Sequence, residues 1–463
     1  MAFIGAIVAI VIAIVGEIIR PKQKPPNVKA AGVDELDIPT AEEGRTIYAF
    51  AGKVRLDATN CTWYGDLETF KVTKKVKTGW FSSARQVIAV RYSMGMAHHI
   101  GFSAPDLEIH EINFGGKMPK HTRTDEADGV VRFDFLDMNF YGGEKEQNAQ
   151  GGVSGILRFY KGTATQPSNA YMSAQLGEEY PAYRDFCHCV MEHMYLGNTE
   201  YIKPVAFVLS TYPNELGVTG GKHKIGPVDD EDANPICMIF QLMTNPVWAA
   251  GTPVGEIDVD NFREKAEQCF DEGYGMSMVY QGNTSKDYIK EILRHIDGVL
   301  YTDPETGLQT IALARNDYVL DDLPILTKDD FIEGVKFRRP SWDETKNTLK
   351  SSYTDRENDY TEAVIQMQDL ANITVRGGEI APEQIDYQGF TKYEPCALST
   401  ARSLKMIAYP SALLEGSILR RQGWKAKPAK VYKIRWPELG LNDNVFRMTD
   451  IAYSDLNSMA VGV

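Results

Sequence analysis

Residues 151–213 read GGVSGILRFYKGTATQPSNAYMSAQLGEEYPAYRDFCHCVMEHMYLGNTEYIKPVAFVLSTYP. Two short apolar and aromatic runs, Ile156 to Tyr160 and Val205 to Leu209, are bounded here by residues that form turns. Such runs are typical of buried strands. The Gly- and Tyr-rich residues between them contain no catalytic pattern. We expect them to shape a surface that contacts neighbouring subunits.

An ordered series of short motifs begins in this stretch and continues beyond it. The motifs are GG-x-SG, FY-x-GT-x-TQ, YPAYR, YLGNT-x-YI-x-P, NPVWAAG, FREKAEQCFDEGYGMS, IDGVLYTDPETGLQTIALARNDY and SWDETKNTLKSSYTDRENDYTE. In this order they resemble the distal tail hub protein (tail tip or baseplate hub) of long non-contractile tailed phages and gene transfer agents. The resemblance extends from about Ile47 to the C-terminus.

This resemblance implies a structural virion protein of the phage tail tip, assembled in the host cytoplasm and without enzymatic activity. The implied fold is β-rich α+β and multi-domain, with two tail-tube-like β-barrel domains and smaller α+β domains between them. The implied protein is a homotrimer that joins the tail tube to the tail tip, closes the tube and opens for DNA delivery. Its implied partners are distal tail or tail-tube ring proteins, the tape-measure protein, and a tail fibre or receptor-binding protein.

Length and charge are consistent with such a protein. A chain of 463 residues exceeds what one hydrophobic core usually serves, so two to four domains are expected. The formal net charge of −14 argues against a protein that grips nucleic acid, since phosphate binding relies on clustered Lys and Arg. DNA is therefore expected only in transit. Six scattered cysteines indicate reduced thiols and not a disulfide framework.

The N-terminal segment is unusually apolar. Residues 2–16 carry no charge, and Gly5, Ala9 and Ala13 fall at a spacing of four on one helical face, where small residues let helices approach closely. The segment is short for a membrane span. We expect a helix that packs between subunits and obstructs the trimer axis, with contact to the host membrane as the alternative. Residues 21–27, PKQKPPN, read as a stiff linker.

Hydrophobic periodicity divides the chain into β, then α+β, then β regions. Strands are predicted in RQVIAVRYSM and VRFDFLD, helices around residues 236–243, 262–270 and 289–296, and a hairpin over residues 298–314. Ser399 is predicted to cap a later helix. The predicted divisions are an apolar segment and linker at 1–28, a mostly β region (a barrel plus a small inserted domain) at 29–232, an α+β domain at 233–328, and a second β-barrel with a helical insertion at 329–463. The sequence stops in the apolar run NSMAVGV. Either the protein is short and a partner supplies the fibre or receptor-binding part, or the run belongs to a longer chain.

Candidate chemistry is sparse. Soft and imidazole ligands make the cluster Cys187, His188, Cys189 and His193 the best potential zinc site. In an alternating strand, however, the two thiols would share one face and His188 the other. His98 and His99 are expected in a turn at the surface or an interface, and Trp63 to Asp66 in another turn.

The acidic residues are expected to be solvated loop charges. They are Asp303, Glu305, Asp355, Glu357 and Asp359. We therefore predict no catalytic residue, no cofactor and no metal. Two alternatives stay open at this point: a metal-dependent or glycan-degrading tail enzyme centred on Cys187 to His193, and a bacterial surface protein anchored in the membrane by residues 2–19.

Overall fold

The structure is a computed structural model of the chain. It describes residues 47–57, 59–77, 83–143, 149–332, 334–419, 427–452 and 458–462. The chain divides into two compact units, with residues 56–208 in unit 1 and residues 48–55 and 209–463 in unit 2. The predicted N-terminal helix, with Gly5, Ala9 and Ala13, lies outside the described residues, so its packing stays a prediction.

Unit 1 is built on strands. After β1 (Ala49–Leu56), which belongs mainly to unit 2, the chain forms β2 (Asn60–Lys77), β3 (Ser83–Phe102), β4 (Glu108–Phe114), β5 (His121–Asp125), β6 (Val130–Asp137), β7 (Val153–Tyr160), helix α1 (Ala170–Leu176), β8 (Phe186–Tyr195) and β9 (Val205–Thr211). Six of these strands pair in the antiparallel order β2-β3-β8-β7-β6-β5. The predicted buried strands at residues 156–160 and 205–209 are confirmed as parts of β7 and β9.

Alternation along β6 shows why these residues form a sheet. Val131, Phe133 and Phe135 are buried on one face, while Arg132 and Asp134 are half-buried on the other and form an ion pair of 2.6 Å. This is the predicted pattern for a half-buried strand. By contrast, all five residues of β5 are exposed, as suits the edge of a sheet.

Strands β2 and β3 form a long hairpin. Register shifts interrupt their pairing between Gly65 and Glu68 and again between Val72 and Thr73. The prediction of a turn at Trp63 to Asp66 is wrong, because Trp63, Tyr64 and Gly65 pair with β3. Asp66 lies in the bulge that follows, which accounts for the turn-like composition.

The short helix α1 was not predicted from the sequence. Asn169 caps it by accepting a hydrogen bond from the Met172 N–H, and Gly177 ends it in a left-handed conformation. Met172 packs into a core with Tyr160, Tyr180 and other buried residues of the sheet. Only two turns long, the helix shows too little periodicity to be recognised in a segment rich in Gly and Pro.

Unit 2 mixes helices with five small sheets. Its remaining strands are β10 (Lys224–Ile225), β11 (Asp232–Ala233), β12 (Met278–Tyr280), β13 (Gly298–Thr302), β14 (Gln309–Leu313), β15 (Ile325–Thr327), β16 (Lys336–Arg338), β17 (Thr348–Asp355), β18 (Thr361–Gln368), β19 (Pro382–Asp386), β20 (Leu413–Leu419), β21 (Val431–Trp436), β22 (Leu441–Arg447), β23 (Asp450–Ala452) and β24 (Ser458–Gly462). Its helices are α2 (Pro235–Thr244), α3 (Val259–Asp271), α4 (Ser285–His295), α5 (Leu370–Val375) and α6 (Tyr393–Ile407).

The predicted helices and hairpin of the α+β region are confirmed. Helix α4 begins at a capping box in which Thr284 and Asp287 satisfy each other's backbone N–H groups. Its buried residues Ile289, Ile292 and Leu293 form the predicted apolar stripe. Strands β13 and β14 form the predicted hairpin and pair over all five residues of each strand. The first helix, α2, is buried over nearly its whole length.

The later strands form three sheets, with the orders β15-β21-β22, β16-β20-β24-β23 and β18-β17-β19. A cluster of nine buried residues fills the core of this part of unit 2. They are Leu326, Phe331, Leu414, Ile418, Tyr432, Ile434, Leu441, Phe446 and Met448. The β-rich, multi-sheet architecture is thus as predicted.

Two predictions about this architecture are wrong. The two predicted β-barrels are not found, since the described strands form no closed barrel in either unit. Alternation in the sequence shows which face of a strand is buried, but not whether the outermost strands of a sheet pair with each other. Ser399 does not cap a helix. It lies in the middle of α6, where its hydroxyl donates to the backbone oxygen of His295 at 2.7 Å. The division into regions at 232 and 328 stays a prediction.

Among the helices of the described residues, none combines the length and apolar character that a membrane span requires.

Candidate functional site

The predicted metal cluster lies on β8 in unit 1. Cys187 and Cys189 are completely buried, and His188 is 1% exposed. The register places Cys189 beside His98 of β3, and His188 beside His99. The two thiols therefore share one face of the strand, as expected, and His188 lies on the other.

Burial favours the uncharged form of each of these groups. It raises the pKa of Cys187 to about 12 and that of Cys189 well above its usual value, whereas zinc binds the thiolate. His188 stacks on the Tyr160 ring at 4.6 Å, and burial lowers its pKa to about 3. Within the described part of the chain, no group of three or more His, Cys, Asp or Glu is arranged to hold a metal ion.

His193 lies apart from the other three residues, and its ring contacts two carboxylates of β2. Its Nδ1 lies 2.9 Å from Asp66 Oδ2 and its Nε2 3.0 Å from Glu68 Oε2. The Tyr171 hydroxyl donates to the same Asp66 oxygen at 2.8 Å. Both ring nitrogens of His193 thus lie within hydrogen-bonding distance of a carboxylate on β2. A Cβ on Gly95 would lie 2.3 Å from the Tyr171 hydroxyl oxygen, so the cluster needs glycine there.

The expected turn at His98 and His99 is wrong, and His98 is not at the surface. Both lie in β3, and His98 is only 3% exposed. Burial and the neighbouring His99 lower the pKa of His98 to about 4. Alternating apolar residues flank the pair in the sequence, but adjacent histidines and glycines resemble a turn, which obscured the strand.

Three of the five acidic residues expected to be solvated loop charges form ion pairs, namely Asp303, Glu305 and Asp359. Asp303 is buried, contrary to the expected solvated loop, and accepts a hydrogen bond from Lys427 Nζ at 2.7 Å. Lys427 also pairs with Glu305 at 3.0 Å. These contacts hold the pKa of Asp303 below its usual value despite the opposing effect of burial. A general acid needs a raised pKa, so Asp303 is unsuited to that role. Asp359 pairs with Arg55 at 2.7 Å.

A polar groove of about 750 Å³ lies between α4 and the β19 segment of unit 2. Its carboxylates are engaged. Asp287 accepts from Thr284, Glu291 from Arg294, and Asp386 from Ser352. Hydrogen bonds from Thr284 and Ser352 hold the pKa values of Asp287 and Asp386 below their usual range. Asp287 and Asp386 are therefore ionised hydrogen-bond acceptors and not proton donors.

A buried ionic network in unit 2 was also missed by the sequence analysis. Asp232, 1% exposed, accepts hydrogen bonds from Arg356, from Thr391 Oγ1 at 2.8 Å and from Ser277 Oγ at 2.5 Å. Lys392 Nζ lies 3.5 Å from its second oxygen. Thr391 lies 159 residues from Asp232 in the sequence, so no local pattern could have shown this contact.

The chain is similar to phage tail proteins and to a protein of a gene transfer agent virion. Residues 284–387 match a family described as "Putative phage tail protein". A chain of the virion of a native gene transfer agent particle is similar in fold, with a TM-score of 0.58 and 14% identity over 99% of this chain and 95% of that one. These matches support a phage tail protein.

Two further tail proteins match more loosely. A 43 kDa tail protein of prophage MuSo2 from Shewanella oneidensis has 13% identity and a TM-score of 0.32 over 77% of this chain and 98% of that one. A tail protein from Neisseria meningitidis MC58 has 10% identity and a TM-score of 0.33 over 77% and 95%. No curated protein matches the sequence. The segment that matches the family, residues 284–387, contains α4 and β19, which border the polar groove.

His295 is a buried, neutral histidine at the end of α4. Its Nδ1–H donates to the Glu291 backbone oxygen at 2.7 Å, and its Nε2 accepts from the Gly389 N–H at 3.0 Å. Burial lowers its pKa from 6.5 to about 4, although Glu291 opposes that effect. The hydrogen bonds and the pKa thus describe the same neutral tautomer.

We expect unit 2 to lose stability as the pH falls from about 6.5 towards 4. In that window the unfolded histidine binds a proton that the folded one excludes, so acid favours unfolding. Going from about pH 7.5 to about pH 5 should cost roughly 2 kcal/mol for this group. Urea unfolding at both pH values measures the loss. His295→Gln should show a smaller loss, and an equal loss in both proteins would contradict the assignment.

Proposed function

We propose that this protein is the trimeric hub of a long non-contractile tail. In this role it joins the tail tube to the tail tip, closes the tube around the end of the tape-measure protein and opens for DNA delivery. Its neighbours are a tail-tube or distal tail ring on one side and a fibre or receptor-binding protein on the other. The function is structural and conformational, with no enzymatic step.

The observation that carries the proposal is the fold likeness to a chain of the gene transfer agent virion, which covers almost all of both chains. The family match at residues 284–387 supports the same class of protein independently of that likeness. The ordered motifs between residues 151 and 360 support the narrower role of a hub, since they resemble that family in particular.

The chemistry of the described residues is consistent with a structural role. The thiols of β8 are buried and protonated, and the carboxylates Asp303, Asp287 and Asp386 are bound to neighbouring side chains. Polar groups that are fully engaged within the fold stabilise it and are not poised for a reaction. We further propose that three copies of the N-terminal segment meet on the axis through Gly5, Ala9 and Ala13.

Electron microscopy of purified particles carrying a tagged chain tests the proposal. We expect a threefold ring with an axial channel at the distal end of the tail tube, with the tag on that ring. A tag along the tube, a sixfold ring or a globular single copy would contradict a trimeric hub. Deletion of residues 2–19 should leave the ring intact and open its channel, which separates the N-terminal proposal from the hub itself.

A further inference from the structure

The distal half of the β2–β3 hairpin projects as a two-stranded ribbon. Residues 69–77 of β2 pair with residues 83–92 of β3, whereas the pairing of β3 with β8 begins only at Ser93. At about 3.3 Å per residue, nine residues make this ribbon roughly 30 Å long. We call residues 69–77 and 83–91 the basic arm.

The basic arm is strongly cationic in an acidic protein. It contains four Lys and two Arg and no Asp or Glu, although the whole chain has a net charge of −14. Lys75 lies directly opposite Arg85 in the register. Lys71 is on the same face as Lys75, because alternate residues of a strand share a face. Like charges opposite each other destabilise a ribbon, so the arm favours an anionic partner.

Four cations of the basic arm form no ion pair with a described residue. Lys71, Lys74, Lys75 and Arg85 are exposed, and none of them forms an ion pair within the part of the chain that the structure describes. Phe70 is 49% exposed beside them. A two-stranded ribbon is marginally stable by itself in water, which is a second reason to expect a bound surface.

A surface of complementary character occurs in unit 2, at residues 317–325. Asp321 and Asp322 are exposed there, and neither forms an ion pair with a described residue. Near them in the sequence are exposed apolar side chains, namely Val319 at 63%, Leu320 at 54% and Ile325 at 42%. We call residues 317–325 the acidic surface. Its mixture of carboxylates and apolar groups matches the cations and the Phe70 ring of the basic arm.

We propose that the basic arm of one copy binds the acidic surface of a neighbouring copy. This inference rests on the proposed trimer and names the contact that holds it together. Lys75 and Arg85 face Asp321 and Asp322, and apolar side chains of both surfaces fill the space around these charges. Exposed ion pairs are screened by salt, so the contact weakens as ionic strength rises.

A cysteine pair tests the contact directly. All six native cysteines are buried, so the double variant Lys75→Cys, Asp321→Cys has two accessible thiols. With a short bis-maleimide we expect a ladder of dimer and trimer on a denaturing gel, and a link between residues 75 and 321 by mass spectrometry. Each single variant should stay mostly monomeric. A link formed only within one chain, or none at all, would overturn the proposal.

Charge reversal provides the energetic test. Lys75→Glu with Arg85→Glu should raise the concentration needed for half-assembly at least tenfold, and adding Asp321→Lys with Asp322→Lys should restore it to within about threefold. The matched control is Lys286→Glu with Lys290→Glu, the same change in net charge on the exposed side of α4. An equal effect of the control would show general charge repulsion and contradict the contact. Binding of heparin that the arm variant abolishes, without loss of assembly, would point to nucleic acid instead.

The outcomes separate the contact from the hub. A trimer by mass without the 75–321 link refutes the contact and leaves the hub proposal standing. A ladder that continues beyond three copies supports the contact and refutes a closed trimer. A protein that stays monomeric up to about millimolar concentration and forms no link refutes the contact; microscopy of particles then decides the hub.

Discussion

Asp232→Ala is expected to lower the free energy of unfolding of unit 2 by about 3–5 kcal/mol, because it removes one partner of a buried ion pair. Arg356, whose side chain is 7% exposed, would keep only Asp230 at 3.1 Å as a carboxylate partner. The hydroxyls of Ser277 and Thr391 would also lose their acceptor. Urea unfolding followed by far-ultraviolet circular dichroism measures the change.

The control for this prediction is Asp359→Ala. Asp359 also pairs with an arginine, Arg55, at 2.7 Å, but its side chain is 68% exposed. Exposed ion pairs contribute at most about 1 kcal/mol. If Asp232→Ala also lowered the free energy of unfolding by less than about 1 kcal/mol, water would have replaced the missing carboxylate. That result would contradict a network that excludes water.

Phe159→Ala is expected to destabilise unit 1 by about 3–5 kcal/mol, the usual cost of emptying an aromatic site in a core. Phe159 lies on β7 in the middle of the six-stranded sheet, is completely buried and is opposite Cys189 on β8. The cavity would open between strands held on both sides, which limits collapse. The same urea titration, read from the unit 1 transition, gives the value.

Phe70→Ala is the matched control, since it removes the same ring from a position 49% exposed in the same unit. We expect less than about 1 kcal/mol there, in proportion to the smaller apolar area withdrawn from water. Similar losses in both variants would contradict the assignment of β7 to the core of the sheet.

Local patterns predicted much of the fold. The alternation of Val131, Phe133 and Phe135 indicated β6, and Thr284 with the apolar stripe behind it indicated α4, because both signals depend on residues close in sequence. Ser399 misled for the same reason. A serine before apolar residues resembles a cap, but its partner is His295, which lies 104 residues earlier.

The candidate sites depended on contacts that no pattern contains. The sequence correctly separated Cys187 and Cys189 from His188 by strand alternation, yet His193 needed Asp66 and Glu68 from another strand to become interpretable. Sheet closure is likewise a property of the outermost strands together. The lysines of the basic arm are close together in the sequence, but the residue at which β3 begins to pair with β8 is not a local property.

The buried cysteines have a consequence for chemical durability. Burial raises the thiol pKa of all six, among them Cys61 and Cys187 to about 12 and Cys396 to about 11. Oxidants and alkylating agents attack the thiolate, so protonated and shielded thiols react slowly. We therefore expect the folded protein to resist the formation of mispaired disulfides in air.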